Sequence, residues 1–326
     1  MKISKYFMVA AASIMMFGCA KNDENNGPHF DGPIALSLKI VDPSAASKAV
    51  VPPTAQGVQL QYDNVEVKLN ATSGDKVNEW VSIPEDELAE YTFWNVEGPT
   101  SIEVRINGGA ESYSELANLE NLRPENMAVY GVATVDAFIR TGVETHEDKQ
   151  YDVYRATVEV KIPVARLEIS GITHVDGGEA CEYSALKLDQ LDILHVANAT
   201  EYPYTTATGD ELLSELIGVD FLTTATTPAD GNVYAFNICA GKPVLRFNFT
   251  GTTKDGAVTE QARYAVVKTI NGNADYSFVP GNVYQITKVE IADEDITSDP
   301  TGNTLVAVNV EVHVQPWTIV ETTVDF

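Results

Sequence analysis

The 326-residue chain carries 47 acidic against 21 basic residues, a net charge of −26, with 44% apolar residues. That charge excludes nucleic acid and anionic membrane surfaces as partners. The apolar content excludes disorder over most of the length, and the length suits two domains of ordinary size.

Taken in chain order, residues 1–18 read as an export signal. Lys2 and Lys5 give the positive region, and the apolar run Tyr6–Phe17 is too short to span a bilayer. The run ends in Gly18-Cys19, which resembles a bacterial lipobox and makes Cys19 the expected site of lipidation. Residues 19–33 are rich in Asn, Gly and Asp and read as a tether. Ile34, Leu36, Leu38 and Ile40 then alternate with smaller or polar residues, the pattern of a strand. The stretch from Asp42 to Ala49 is small and polar, an exposed connection open to proteases. Lys48 is its only basic residue.

Further strands are predicted over Val58–Leu69, Ser101–Asn107, Ala128–Val135 and Tyr151–Ile162, with a short helix at Pro84–Tyr91. Around Pro163 one strand pattern hands over to another, Val164–Ile172, which places the domain boundary there: 34–162 and 163–326. In the second half, Leu186–Val196 reads as a strand and Asp210–Ile217 as a short helix. Strands follow at Val233–Cys239, Val244–Thr250, Ala262–Thr269 and Val283–Ile291. The predicted class is all-β, two tandem sandwiches with one or two short helices.

The chain closes on a ladder over 305–326. Val306, Val308, Val310, Val312 and Val314 share one face, and after Pro316 the pattern resumes through Val320, Val324 and Phe326. This is either an ordinary terminal core strand or a strand lent, wholly or partly, to a neighbouring subunit.

The search for chemistry returns little. The five histidines stand at no metal-ligand spacing, and neither a phosphate loop nor a nucleophile elbow occurs, so neither an enzyme nor a bound metal or cofactor is expected. Asp189 and Asp192 read as solvated strand-edge carboxylates, and Asp293-Glu294-Asp295 as an acidic turn. Trp80, Trp94 and Trp317 read as packing residues. Cys181 and Cys239 are free to pair in an exported protein or to remain buried thiols, and both readings stand.

Several stretches together are similar to one family. They are the lipobox, the basic residue before Ala49-Val50-Val51, Met127-Ala128-Val129-Tyr130-Gly131, Val164–Ile169 and Pro280–Tyr284. The most specific is the closing Val-x-Val-x-Val-x-Val-Gln-Pro-Trp-Thr at 308–318. In this order they resemble the fimbrillin family of Bacteroides-type pilus subunits over essentially the whole chain.

The resemblance implies two transthyretin-like sandwiches and a precursor carried to the outer membrane as a lipoprotein, held in its lipid through acylated Cys19. A trypsin-like surface protease would cut between Lys48 and Ala49 and remove the segment 34–48. Ile34, Leu36, Leu38 and Ile40 would then vacate a groove. Val306 to Val314, with Trp317, Val320, Val324 and Phe326, would fill that groove in another subunit. The implied partners are copies of the chain and the anchor and tip subunits of the fimbria, and the implied role is adhesion. The rival readings are a lipidated anchor of the same pilus and a surface lipoprotein that binds glycan or host protein.

Overall fold

A computed structural model describes residues 32–41, 49–51, 63–84, 91–114, 126–176, 179–223, 231–271, 273–301 and 308–316, with residues 30, 87, 123, 226 and 228 singly; 85–86, 88–90, 124–125 and the remaining gaps lie outside it. The first half supplies β1 (Ile34–Val41), β2 (Ala49–Val51), β3 (Val65–Asn70), β4 (Val81–Ile83), β5 (Thr92–Val96), β6 (Ser101–Ile106), β7 (Ser112–Tyr113), β8 (Val129–Thr134), β9 (Phe138–His146) and β10 (Lys149–Glu159). The second supplies β11 (Ala165–Ile169), β12 (Ile172–His174), β13 (Tyr183–Val196), β14 (Ala199–Glu201), β15 (Ala207–Thr208) and β16 (Glu211–Asp220). It continues with β17 (Val233–Ile238), β18 (Val244–Thr253), β19 (Gln261–Ile270), β20 (Asn282–Ile291) and β21 (Val308–Pro316).

Period-two alternation builds the first sandwich. One sheet runs β5-β1-β10-β9 and the facing sheet β4-β3-β6-β8. The inward positions form a single core from Ile34, Leu36 and Leu38, Val65, Val67 and Leu69, Ile102, Val104 and Ile106, with Ala156 and Val158. Where β8 passes the end of β10, Tyr130 and Lys161 exchange backbone hydrogen bonds of 3.3 and 2.8 Å. A Cβ on Gly131 would lie 2.4 Å from the Glu159 carbonyl oxygen, so this crossing admits only glycine.

The second sandwich is one wrapped sheet of order β16-β13-β18-β19-β21-β20-β11-β17-β2, with β12 on β20. Its core takes Leu167 and Ile169, Leu188, Leu191 and Ile193, Phe236, Phe247 and Phe249, Ile286 and Val289. β21 joins the two arms of this sheet, parallel to β19 and antiparallel to β20. A small sheet, β15-β14-β7, ties the halves together, since β7 belongs to the first and its partners to the second.

The all-β class stands, with the helices revised. The helical turns that lie wholly within the described residues are single 3-10 turns at Val135–Ala137 and Asp293–Asp295. The predicted helix at Asp210–Ile217 is instead the edge strand β16, paired with β13. Its register sets Leu213, Ile217 and Val219 half-buried against the core, while Leu212 and Leu216 face outward. A ready hydrogen-bonding edge on β13 overrides the weak helical preference of so short a segment. The other predicted helix, Pro84–Tyr91, falls mostly outside the described residues.

Candidate functional site

β1 is the strand that the sequence singles out near the start of the chain, and its surroundings define a slot. It pairs parallel with β10 from Ile34↔Asp152 to Val41↔Glu159, and antiparallel with β5 through Leu36↔Phe93 and Ser37↔Thr92. Ile34, Leu36 and Leu38 are buried in the first core. The alternate positions Ala35 and Ser37 are small, and they too are covered. Ala35 packs with Tyr151, Val153 and Trp94, and the Trp94 ring stacks on His146 at 4.2 Å. The buried Ser37 hydroxyl donates to the Tyr154 carbonyl at 3.3 Å. Both edges and both faces of β1 are therefore engaged, and each fully buried Leu or Ile contributes roughly 1.5–3 kcal/mol. Ile40 lies on β1 opposite Val158.

The next strand, β2, sits elsewhere. Ala49, Val50 and Val51 pair with Ala235, Tyr234 and Val233 of β17, at the edge of the second sheet. The connection 42–48 must therefore lead from one sandwich to the other. Lys48 lies outside the described residues, and Ala49 is the first residue of β2. Cys19 also lies outside them.

Of the terminal ladder, Val308, Val310, Val312 and Val314 lie on β21, opposite Val267 on β19 and Val289, Ile286 and Tyr284 on β20. Val310 pairs on both edges, with Ile270 and with Val289. The idea that this stretch is free to be lent thus meets a strand already committed in its own sheet. Val306, Trp317, Val320, Val324 and Phe326 lie outside the described residues.

Two further expectations change. Asp192 is not a solvated edge residue but is buried at 1% exposure, because β16 covers its flank of β13. Its carboxylate accepts from Arg246 (2.7 Å), Asn248 (2.6 Å), Gln190 (2.6 Å) and Ser214 (2.7 Å). Burial pushes that carboxyl up, and the four hydrogen bonds outweigh it and hold the group below the usual Asp range. The second is narrowed, not overturned: of the two readings left open for Cys181 and Cys239, the structure has buried free thiols. Cys239 follows Ile238, which faces Ala165 at the start of β11, and Arg166 faces Val283. Cys181 sits beyond His174, which faces Ile291. The eight steps along β20 from Val283 to Ile291 span roughly 25 Å, far beyond the Cα separation that a disulfide bridges. Burial pushes the Cys239 thiol up to about 12 and also raises the Cys181 thiol.

A polar cluster that no sequence spacing suggests lies beside Cys181. His174 Nε2 is 2.7 Å from Asp293 Oδ1, and Cys181 Sγ is 3.9 Å from the same oxygen. The Glu182 amide donates to Asp293 Oδ2, and the Asp293 amide donates to Asp176 Oδ2 at 2.6 Å. Trp80 and Trp94 pack beside different sheets, and Trp317 lies outside the described residues. Trp80 packs under Arg105 at 4.2 Å, beside the β4-β3-β6-β8 sheet, whereas Trp94 is on β5.

The architecture on the page has a known counterpart. It matches a structure described as a "putative cell adhesion protein" from Bacteroides eggerthii DSM 20697, with a TM-score of 0.52 over 88% of this chain and 96% of that one, at 14% identity. A fimbrilin from Porphyromonas gingivalis W83 aligns over 89% of this chain and 99% of its own, at 14% identity and a TM-score of 0.48. The chain thus has the two-sandwich fold of the Bacteroides protein over most of its length. No family model and no curated protein matches it.

Proposed function

We propose that the chain is a structural subunit of a cell-surface fimbria that polymerises by strand exchange. The observation that carries this reading is the position of β1. It is an interior strand, buried on both faces, and the next strand of the chain, β2, is held independently on the other sandwich. A cut after Lys48 would detach β1 from everything but its slot and leave Ala49–Val51 on β17. Docking of β1 would change from an intramolecular event to a bimolecular one, with loss of its effective concentration. A strand carried by another subunit could then replace it, taking over the main-chain ladders of β5 and β10 and the pockets of Ile34, Leu36 and Leu38.

The strand offered is the segment after Pro316, with Trp317, Val320, Val324 and Phe326, while Val308–Val314 fix its base in β21. Committing β21 on both edges favours this division, because lending β21 itself would unzip two ladders. In this reading Cys19 carries lipid in the precursor at the outer membrane, a trypsin-like protease makes the cut, and the mature form resides in surface fimbriae with anchor and tip partners. The shared fold with the Bacteroides eggerthii protein, described by its name as a cell adhesion candidate, agrees with a role in adhesion.

Mass spectrometry of fibres sheared from cells tests the reading. A stalk subunit gives an amino terminus at Ala49. An acylated Cys19 in the polymerised pool would instead assign the anchor position. Deleting Ile319–Phe326 should give folded monomers that do not polymerise, and fibres from that variant would overturn the assignment of the donor segment.

A further inference from the structure

We propose that His174, Cys181 and Asp293 form a zinc site that pins the turn leading out of β20 towards β21. The three residues are 119 positions apart at their extremes, and the fold brings their ligand atoms within 4.8 Å of one another. With Nε2–Oδ1 at 2.7 Å, Sγ–Oδ1 at 3.9 Å and the third pair within 4.8 Å, an ion equidistant from all three can approach each to about 2.4 Å, and a small inward shift of the side chains gives the roughly 2.0–2.3 Å of zinc–nitrogen, –oxygen and –sulfur bonds. A thiolate and a carboxylate cancel the charge of the ion, so the loaded site is neutral in its buried setting. One imidazole, one thiolate and one carboxylate leave a fourth position for water.

The supporting shell is already in place. His174 is at the end of β12 opposite Ile291, two residues before Asp293, so the β12–β20 ladder itself sets two of the three ligands side by side. The Glu182 amide holds Asp293 Oδ2 and leaves Oδ1 turned to His174 and Cys181. Phe221 packs on the imidazole at 5.6 Å between ring centroids. A hydrogen bond such as that from the Glu182 amide to Asp293 orients a metal ligand. The site joins three elements: β12, the start of β13 and the turn after β20. It goes beyond the strand-exchange reading and does not depend on it.

The test uses the exported full chain, purified without chelator, and measures zinc by elemental mass spectrometry. One zinc per chain is expected, falling at least tenfold in Cys181→Ser and in His174→Ala and unchanged in Cys239→Ser. Cobalt added to the chelator-treated wild type should give the near-ultraviolet thiolate charge-transfer band, a readout that needs no variant to fold. Zinc should also raise the Tm of the wild type and not that of Cys181→Ser. A wild-type chain that holds no zinc, shows no cobalt–thiolate band and melts identically with and without added zinc overturns the proposal. The cluster would then be a His–Asp–Cys hydrogen-bonded group only.

Discussion

β1 and β21 are both interior strands paired on two edges, yet they close their sandwiches in different ways. β1 fills a gap in one sheet of the first sandwich, and the facing sheet β4-β3-β6-β8 is complete without it. β21 is the link between two arms of a single wrapped sheet, so the second sandwich has no equivalent sheet to fall back on. Removing β1 therefore leaves a slot, whereas removing β21 opens a seam. A strand whose loss leaves a defined slot is the one that can be exchanged. A strand whose loss unzips the sheet serves better as the fixed base for a donor.

Deletion of 34–41 tests this contrast most severely. It strips Ile34, Leu36 and Leu38 from the first core and leaves the edges of β5 and β10 unpaired. The first sandwich is expected to lose its cooperative unfolding transition while the second keeps its own. A synthetic peptide of residues 34–41 added in trans should restore the lost transition, followed by calorimetry. Two unchanged transitions without the peptide would mean that the slot closes on itself.

Val310→Pro probes the seam. Val310 faces Ile270 on one side and Val289 on the other, and proline deletes a ladder N–H in a strand with no free edge. The expected cost is about 1–3 kcal/mol or more in denaturant unfolding of the second sandwich, the penalty of a buried carbonyl left without its donor, with the first unaffected. Equal weakening of both would refute the division into independent closures.

How much of this was readable beforehand varies by element, for physical reasons. β1 and β21 were legible because large apolar residues recur at every second position along both, the period of an extended strand. β9 was not, since its edge position exposes Ile139 and Val143 among polar neighbours and erases the alternation. β16 was misread because Leu212, Leu213, Leu216 and Ile217 fall at helical spacing, and only the β13 edge decides the matter. Asp192 looked solvated because nothing local announces Arg246 and Asn248, more than fifty residues away. His174, Cys181 and Asp293 have no common spacing at all; the ladder between β12 and β20 brings His174 and Asp293 together, and Cys181 reaches them from the segment before β13.

Asp192→Asn sharpens the comparison on the side of the seam, since β13, β18 and β19 form the arm that carries one edge of β21. The folded carboxyl lies below its unfolded value, so its contribution is complete above about pH 4 and is lost as the pH falls through the folded value. The substitution should cost about 1.5–3 kcal/mol near neutrality, the worth of hydrogen bonds to a charged group. Below the folded value the wild type is protonated as well, and the two stability curves should converge. A difference that persists unchanged into acid would mean that packing, not charge, holds this network. Glu66 and Glu103 in the first sandwich are also held below their ordinary values, Glu66 chiefly by its hydrogen bonds to Arg105 and Glu103 by hydrogen bonds that outweigh its burial. Acid therefore weakens both halves, and only the variant isolates the arm beside β21.

The smallest effect concerns whether slot and seam sense each other. The Tyr204 hydroxyl donates to the Ala110 carbonyl beside the small sheet that spans the halves, and its ring packs edge-on to Tyr202 at 5.6 Å. Tyr202 in turn meets Tyr130, at the crossing of β8 over the end of β10. Tyr204→Phe keeps the packing and removes one hydrogen bond, at a cost of about 1 kcal/mol. The bond runs from the second half to the first, so sandwiches that unfold independently should show no shift in either transition. If the tyrosine cluster couples them, the separation between the two transitions should widen instead, because the lower one loses support from the higher. Calorimetry of the single variant distinguishes the two, and a coupled result would mean that emptying the β1 slot is felt at the base of the terminal strand.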